Sequence, residues 1–576
     1  MRKVFPFTQW LAEYKKDWFT KDLVAGLTVG IVLIPQGMAY AMIAGLPPVY
    51  GLYASVFPVL VYAFLGTSRQ VAMGPVAMDS LLVAAGLGAL AISGIENYIV
   101  MATILAFLVG AIQLLLGILR MGFLVNFLSK PVISGFTSGA AFIIIFSQLK
   151  HLLGADIERS NQFHRLVLNA FDKISETNSI DFTIGLFGIL LIILLKKWNK
   201  KVPGILIVVI LGILAVYLLN LETYGIALVG SIPKGLPSFQ VPNFSLQHFE
   251  VLWPIALTLA LVGYLETVSI GKAIEEKNNE ENIDANQELV ALGSSNLVGS
   301  FFQAYPITAS FSRSAINNES GAKTNAAAII SVVMVVVTLL FFTPLFYYLP
   351  NAVLASIIMV SVFGLIDLNY AKSLWKFRKD EFFVLLLTFL VTLFIGIKEG
   401  ILLGVLFSLL LLVYRTSKPH FAVLGHVKNT DYYKNIDRFG DEVIVRDDLL
   451  IVRFDAQLFF GNSGFFKRQL LKHIDEKGNA LRGIILNAEA INYIDSTAAQ
   501  MLINTIHEIH ERGLLFYMAG AIGPTRDIIF SSGIITELDK KCLFVQTKEA
   551  VACFDHPDTY SEGGNKVAHQ NKPLGN

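Results

Sequence analysis

Apolar runs long enough to cross about 30 Å of hydrocarbon recur along this chain from Leu23 to Tyr414, and the polarity changes abruptly near Arg415 to Pro419. The pattern predicts spans at 22–44, 50–66, 75–93, 98–119, 128–150, 181–197, 203–220, 250–272, 285–300, 307–318, 325–347, 351–366, 381–396 and 398–415. Several of these are short or interrupted by Gly and Pro. Beyond them the period becomes that of an α/β domain, with strands at 449–454, 482–487 and 514–520 and helices at Ser463–Glu476 and Ser496–Glu511. The expected order is a cytoplasmic N-terminal segment (1–21), a transmembrane domain (22–418), a cytosolic α/β domain (419–555) and a tail (556–576). The tail is polar and has too little apolar surface to fold, so it is expected to be disordered.

Composition agrees with a chain largely in lipid: 54% of residues are hydrophobic, 15% are charged and mean hydropathy is +0.60. A net charge of +1 with scattered basic residues leaves no electrostatic footprint for a nucleic acid. Cys542 and Cys553 are the only cysteines and have no company that would ligate a metal; they are expected to be reduced and without a role. The aromatic, charged N-terminus is unlike a secretory signal, so the first apolar run stays as a span. Basic residues at Lys15, Lys16, Lys21, Arg69, Arg120, Lys130, 196–201, Lys272, Lys277, Lys323, 372–379, Arg415 and Lys418 fall in alternate loops, which puts both termini in the cytoplasm. Lys150, Arg159, Arg165 and Lys173 are exceptions in a long loop, where the bias is weak. No phosphate-cradling GxxxxGK[ST] loop suggests a pump, and no cofactor, metal or catalytic residue is expected.

A repeat is visible: a polar residue in a long span, a short span, then a Pro opening another short span. Gln36 precedes Pro75 by 39 positions and Glu266 precedes Pro306 by 40. If Pro75 and Pro306 each start a helix, two helix N-termini converge on one site and can replace the hydration of an anion; the alternative is that they kink ordinary spans. Arg313 is a cation inside an otherwise uncharged run, a costly placement that marks a functional candidate, unless it snorkels to the interface. Gln36 and Tyr40 stack one turn apart and could offer donors to one ligand, although a lone Gln in an apolar helix commonly bonds a neighbouring helix. Glu266 lies in the second copy where Gln36 lies in the first.

The stretches GLPPVYGLYASVFPVLVYAFLGTSRQVAMGP (45–75), AGLTVGIVLIPQGMAYA (25–41), PITASFSRSAINNESGAKT (306–324) and GIKEGILLGVLFSLLLLVYR (396–415) resemble the sulfate permease (SulP) family of anion transporters. IVRFDAQLFFGNSGFFKRQL (451–470) and INYIDSTAAQMLINTI (491–506) resemble its STAS domain. The resemblance covers nearly the whole chain. It implies a polytopic α-helical membrane protein of 14 spans as 7+7 inverted repeats, with a UraA-like core and gate, an elevator-like motion and a homodimer. It also implies substrate contacts from Ser312 and Arg313, from Gln36 and Tyr40 as in plant-type sulfate carriers, and from Ala77 and Met78 beside Pro75. Asp495, Ser496 and Thr497 resemble a segment phosphorylated in anti-sigma-factor antagonists. Ser496 is therefore a candidate phosphosite, against the alternative that this is a helix N-cap, which Ala498 in place of the usual Gly favours.

The expected function is secondary active, proton-coupled import of sulfate across the cytoplasmic membrane, with no enzymatic activity. Two helix N-termini at about +0.5 each plus Arg313 present about +2 to sulfate when Glu266 is neutral, and an ionised Glu266 weakens the site. A permanent ion pair of Glu266 with Lys272 or Arg313 is the alternative. The rivals are a sodium-coupled bicarbonate symporter, an uncoupled exchanger or channel for anions such as chloride, and an anion sensor. Sodium-coupled relatives favour an Asp followed one turn later by Thr, where this chain has Glu266 and Ile270.

Overall fold

The computed structural model describes residues 6–88, 90, 92, 94–123, 129–158, 160, 162–199, 202–242, 246–279 and 283–557. Each predicted span is met by a helix: α1 (Lys16–Ile43), α2 (Phe57–Leu65), α3 (Ala77–Gly88), α4 (Ile95–Ile118), α5 (Lys130–Ser147), α6 (Ser179–Trp198) and α7 (Gly204–Leu219). The second half repeats the series with α8 (Leu246–Asn278), α9 (Ala285–Ser300), α10 (Phe311–Glu319), α11 (Ala326–Val337), α12 (Asn351–Phe363), α13 (Lys379–Phe394) and α14 (Ile397–Ser417). The span expected at 50–66 is broken, with a separate helix at Val49–Tyr53 before α2. Pro58 at the start of α2 has no N–H to return to the preceding turn, so the helix cannot run through. α1 starts earlier than expected, at Lys16, and a short helix at Phe7–Ala12 precedes it. The tail predicted to be disordered lies outside the described residues beyond Pro557, as do Arg159, Lys200 and Lys201 of the charge pattern.

The chain divides into two compact units, Met1–Ser408 and Leu409–Asn576, with the division inside α14. The first unit is held by helices that touch backbone to backbone, as small residues allow when lipid supplies no hydrophobic drive between helices. At the α4–α9 crossing, a Cβ on Gly293 would sit 2.3 Å from the Leu114 nitrogen, and one on Gly110 would sit 2.4 Å from that of Leu297. Two buried carboxylates fasten loops to these helices. Glu288 in α9 accepts from the Thr67 and Ser68 amides and the Thr67 and Tyr62 hydroxyls. Asp22 in α1 accepts from the Lys323 and Thr324 amides and the Thr324 hydroxyl.

The third span of each half begins with a two-residue strand, β1 (Met73–Gly74) before α3 and β2 (Thr308–Ala309) before α10. They pair antiparallel, Met73 with Ala309 and Gly74 with Thr308, as two inverted copies must where they meet. Irregular backbone at membrane depth has to find its hydrogen bonds inside the protein. Here Asn296 receives the Ile307 amide and donates to its carbonyl, Ser314 receives the Ala72 amide, Asn317 donates to the Gln70 carbonyl, and Ser310 N–H reaches the Ala72 carbonyl.

The second unit is an α/β domain containing β3 (Phe421–Val427), β4 (Tyr433–Asn435), β5 (Val443–Ile444), β6 (Leu449–Phe454), α15 (Ser463–Lys477), β7 (Gly483–Asn487), α16 (Ser496–Glu511), β8 (Leu515–Ala519), α17 (Gly523–Ser531), β9 (Leu543–Phe544) and α18 (Thr547–Asp555). Strand order is β4-β3-β6-β7-β8-β9, with β5 also on β3; β6 to β9 run parallel and β3 antiparallel to β6. The three predicted strands are its centre. Asp495 caps α16 by accepting from the Ala498 amide and also holds the Phe460 amide, so the capping role expected as one reading is present. Ser496 is exposed beside it.

Candidate anion-binding site

Both paired strands hand over to a helix within three residues, so the N-termini of α3 and α10 lie beside one another. Counted from the strands, Pro75 corresponds to Ser310, not to Pro306. The expectation that Pro306 opens a helix is therefore corrected: it precedes β2, and α10 starts only after Ser310, whose hydroxyl caps the Arg313 amide at 3.4 Å. The reason is that Thr308 and Ala309 are held in extended pairing, which a helix starting at Pro306 would forbid. Pro75 lies one residue before Val76, whose carbonyl accepts the first bond of α3 from the Ser80 amide, and in that first turn Ala77 and Met78 are buried and their amides have no acceptor within the helix.

Arg313, in the first turn of α10, is fully buried, which overturns the snorkelling alternative. Nη1 donates to Gln36 Oε1 at 3.3 Å and Nη2 to the Pro75 carbonyl at 2.8 Å, while Nε is buried with no partner. Its acceptors are thus neutral, and no ion pair of Arg313 with a carboxylate occurs among the described residues. Gln36 is itself shared, with Nε2 3.4 Å from Ser361 Oγ of α12, so it both bonds a neighbouring helix and orients the guanidinium. Tyr40, one turn on and buried, lies among Arg313, Tyr305 and Ser361. Gly74 closes the wall: its φ is +140°, and a Cβ there would meet Arg313 Nη2 at 3.2 Å.

Ser312 is placed differently from the rest. It is exposed, its hydroxyl 3.4 Å from that of Ser310, and no side-chain contact ties it to Arg313 or Gln36. Glu266 in α8 is half-buried, with Oε2 enclosed and without a hydrogen bond, and it makes no ion pair with Lys272 or Arg313 among the described residues. The ion-pair alternative is therefore not met, and the charged neighbour of Glu266 is another acid, Asp79. Next to it, Thr267 Oγ1 lies 3.1 Å from Thr308 Oγ1, which donates to the Gly263 carbonyl, tying α8 to β2.

Sequence reasoning missed Asp79, Tyr305, Ser361 and Gly74. Asp79 carried a signal: an acid within the predicted span 75–93 is as anomalous as Arg313. It is 2% exposed in the first turn of α3, and Oδ1 is buried without a partner. Tyr305, fully buried, places its hydroxyl 3.1 Å from Ser80 Oγ and has Arg313, Asp79 and Tyr40 among its ionisable neighbours. The arrangement therefore sets one fixed cation at two neighbouring helix N-termini, with Asp79 in the first turn of one of them.

Residues 19–388 match the sulfate permease family and residues 442–550 match the STAS domain. Sulfate transporter 4.1, chloroplastic, of Arabidopsis thaliana is 38% identical over 95% of this chain and 82% of its own length. A protein of Mycobacterium tuberculosis named a probable sulfate transporter is 34% identical over 94% of this chain and 96% of its own. Among solved structures, the murine Solute Carrier 26 family member A9 anion transporter, in the inward-facing state, superposes with a TM-score of 0.88 at 27% identity, over 95% of this chain and 93% of that one.

Proposed function

The chain belongs to the sulfate permease family, and on that premise we propose that this anion transporter carries sulfate, taken up with protons by an elevator-like movement of the helices that hold the site. The observation that carries the reading is the buried, carboxylate-free guanidinium of Arg313. A buried charge without an opposite charge costs several kcal/mol, and the helix N-termini of α3 and α10 add positive potential rather than remove it. The countercharge that fits is an anion taken from solution. Sulfate accepts from every direction and carries −2, which matches the about +2 of one guanidinium and two helix ends.

Under this proposal the anion accepts from Arg313 Nε and from the first-turn amides of Ala77, Met78 and Ser312. Gln36 holds the guanidinium in orientation, and Tyr40 offers a hydroxyl from the facing wall. Glu266 is the coupling acid: neutral, it leaves the site at about +2; ionised, it lowers it to about +1 and favours release. The domain assignment is a transport domain over 22–418 and a STAS domain over 419–555, with both termini in the cytoplasm of a cell whose cytoplasmic membrane holds a homodimer. Bicarbonate with sodium on the same scaffold is disfavoured by Ile270 where a Thr would complete a sodium site.

The test is Glu266→Gln, which mimics the neutral acid, in the full chain reconstituted into vesicles. Sulfate–sulfate exchange survives, while uphill uptake driven by an inward proton gradient falls well below that of the wild type. A Gln variant that accumulates sulfate as steeply as the wild type removes Glu266 from coupling.

A further inference from the structure

We propose that Asp79 is a second proton-accepting carboxyl of this site, acting with Glu266, so that each sulfate is accompanied by two protons. The inference rests on the proton-coupled reading above and adds a residue and a stoichiometry to it. Asp79 is held in the first turn of α3, 2% exposed, with Oδ1 buried and unpartnered. α3 packs on α8, and the charge of Asp79 acts on Glu266 there, whose Oε2 is equally unpartnered. Two carboxylates brought together in a poorly solvated place do not both stay ionised readily.

Asp79 makes no ion pair among the described residues. Tyr305, from the segment before β2, has Asp79 among its ionisable neighbours, as it has Tyr40 of α1 and Arg313 of α10, whose Nη1 and Nη2 are engaged by Gln36 and Pro75. α4 and α5, also packed on α3, carry titratable side chains only near their first turns, at Glu96, Tyr98 and Lys130.

An ionised Asp79 occupies, as an internal anion, the potential of the very helix end that sulfate uses. With both acids ionised the local charge is about 0, with one it is about +1, and with both protonated it is about +2. Sulfate binding therefore favours protonation of both, with one proton on Asp79 and one on Glu266. The loaded site returns to neutrality, and SO₄²⁻ with 2 H⁺ crosses without net charge.

The experiment counts protons taken up per sulfate bound by the purified full-length protein, by titration calorimetry in buffers of different ionisation enthalpy across a pH series. The wild type rises well above one proton per sulfate at its maximum. Asp79→Asn and Glu266→Gln each fall to about one and the double variant to about zero, while Asp79→Glu restores the wild-type count. In vesicles, one pH unit then sustains about 100-fold sulfate accumulation in the wild type and about tenfold in Asp79→Asn. The Asn variant also becomes sensitive to membrane potential. A wild-type count that never exceeds one, or a count unchanged in Asp79→Asn, overturns the assignment of Asp79; if that variant does not fold, the wild-type count still decides. Sulfate binding with no proton uptake at all overturns the coupling reading instead.

Discussion

Replacing Arg313 by Ala is the perturbation whose size the structure lets one work out. A unit charge about 4 Å away, at an effective dielectric of about 20, contributes about 4 kcal/mol, and about twice that for a dianion. Against this, water entering the space the guanidinium vacates solvates the anion in the variant and recovers much of that. The net loss in sulfate affinity is expected to be about 3 kcal/mol, within the range for truncating one member of a buried charge pair, which is about 150-fold in Kd. The fold should tolerate the change. Gln36 Oε1 and the Pro75 carbonyl lose their donor, at about 1–3 kcal/mol each, and removal of the buried charge offsets that. Arg313→Lys keeps the charge but cannot reach acceptors 3.3 and 2.8 Å from two different nitrogens, so an intermediate loss of about tenfold follows. Calorimetric titration with sulfate, and the sulfate-induced rise in melting temperature, read both variants. A Kd within threefold of wild type for the Ala variant would refute the placement of the anion at this guanidinium.

Gly74→Ala puts a methyl at φ +140° and 3.2 Å from Arg313 Nη2; expect a sulfate Kd raised about tenfold and a strain cost of about 1–2 kcal/mol, read by titration and melting, and an unchanged Kd sinks the idea that Gly74 shapes the site. A chain ended after Pro419 should transport less, or reach the membrane less, with its preference among sulfate, bicarbonate and chloride unaltered, because Gln36 through Ser361 all lie in the first unit. A shifted preference in an uptake competition assay would instead make the soluble domain part of the pathway. Burial pushes the Cys542 thiol up to about 11, leaving about 0.1% thiolate at pH 8. Alkylation at that pH should be slow until the domain is unfolded, and rapid labelling of the folded protein would contradict this.

The fold was legible where it rests on local pattern. Every apolar run is met by a helix, and eight helices among the described residues are long and apolar enough to cross a bilayer by themselves, while Asp495 announces its cap through the residue type and position. What pattern could not reveal are contacts between residues far apart in the chain. Arg313 meets Gln36 across 277 positions and Gln36 meets Ser361 across 325. Spacing also misled: the near-equal intervals from Gln36 to Pro75 and from Glu266 to Pro306 matched two prolines that occupy different places, because strand pairing, not proline, sets where α10 starts. Asp79 is legible by the same argument as Arg313, as an ionisable residue within the apolar run VAMDSLL. Its proximity to Glu266 depends on how α3 lies against α8, which no sequence interval encodes.

The most direct measurement is radiolabelled sulfate uptake by the purified full-length protein in vesicles with an acidic exterior, alone and in competition with bicarbonate and chloride, and again with a sodium gradient in place of the proton gradient. Proton-coupled sulfate transport predicts uphill accumulation of sulfate, abolished when a protonophore collapses the gradient and little affected by sodium or by excess bicarbonate. Accumulation driven by sodium and displaced by bicarbonate, or sulfate flux that only ever runs downhill, would contradict it.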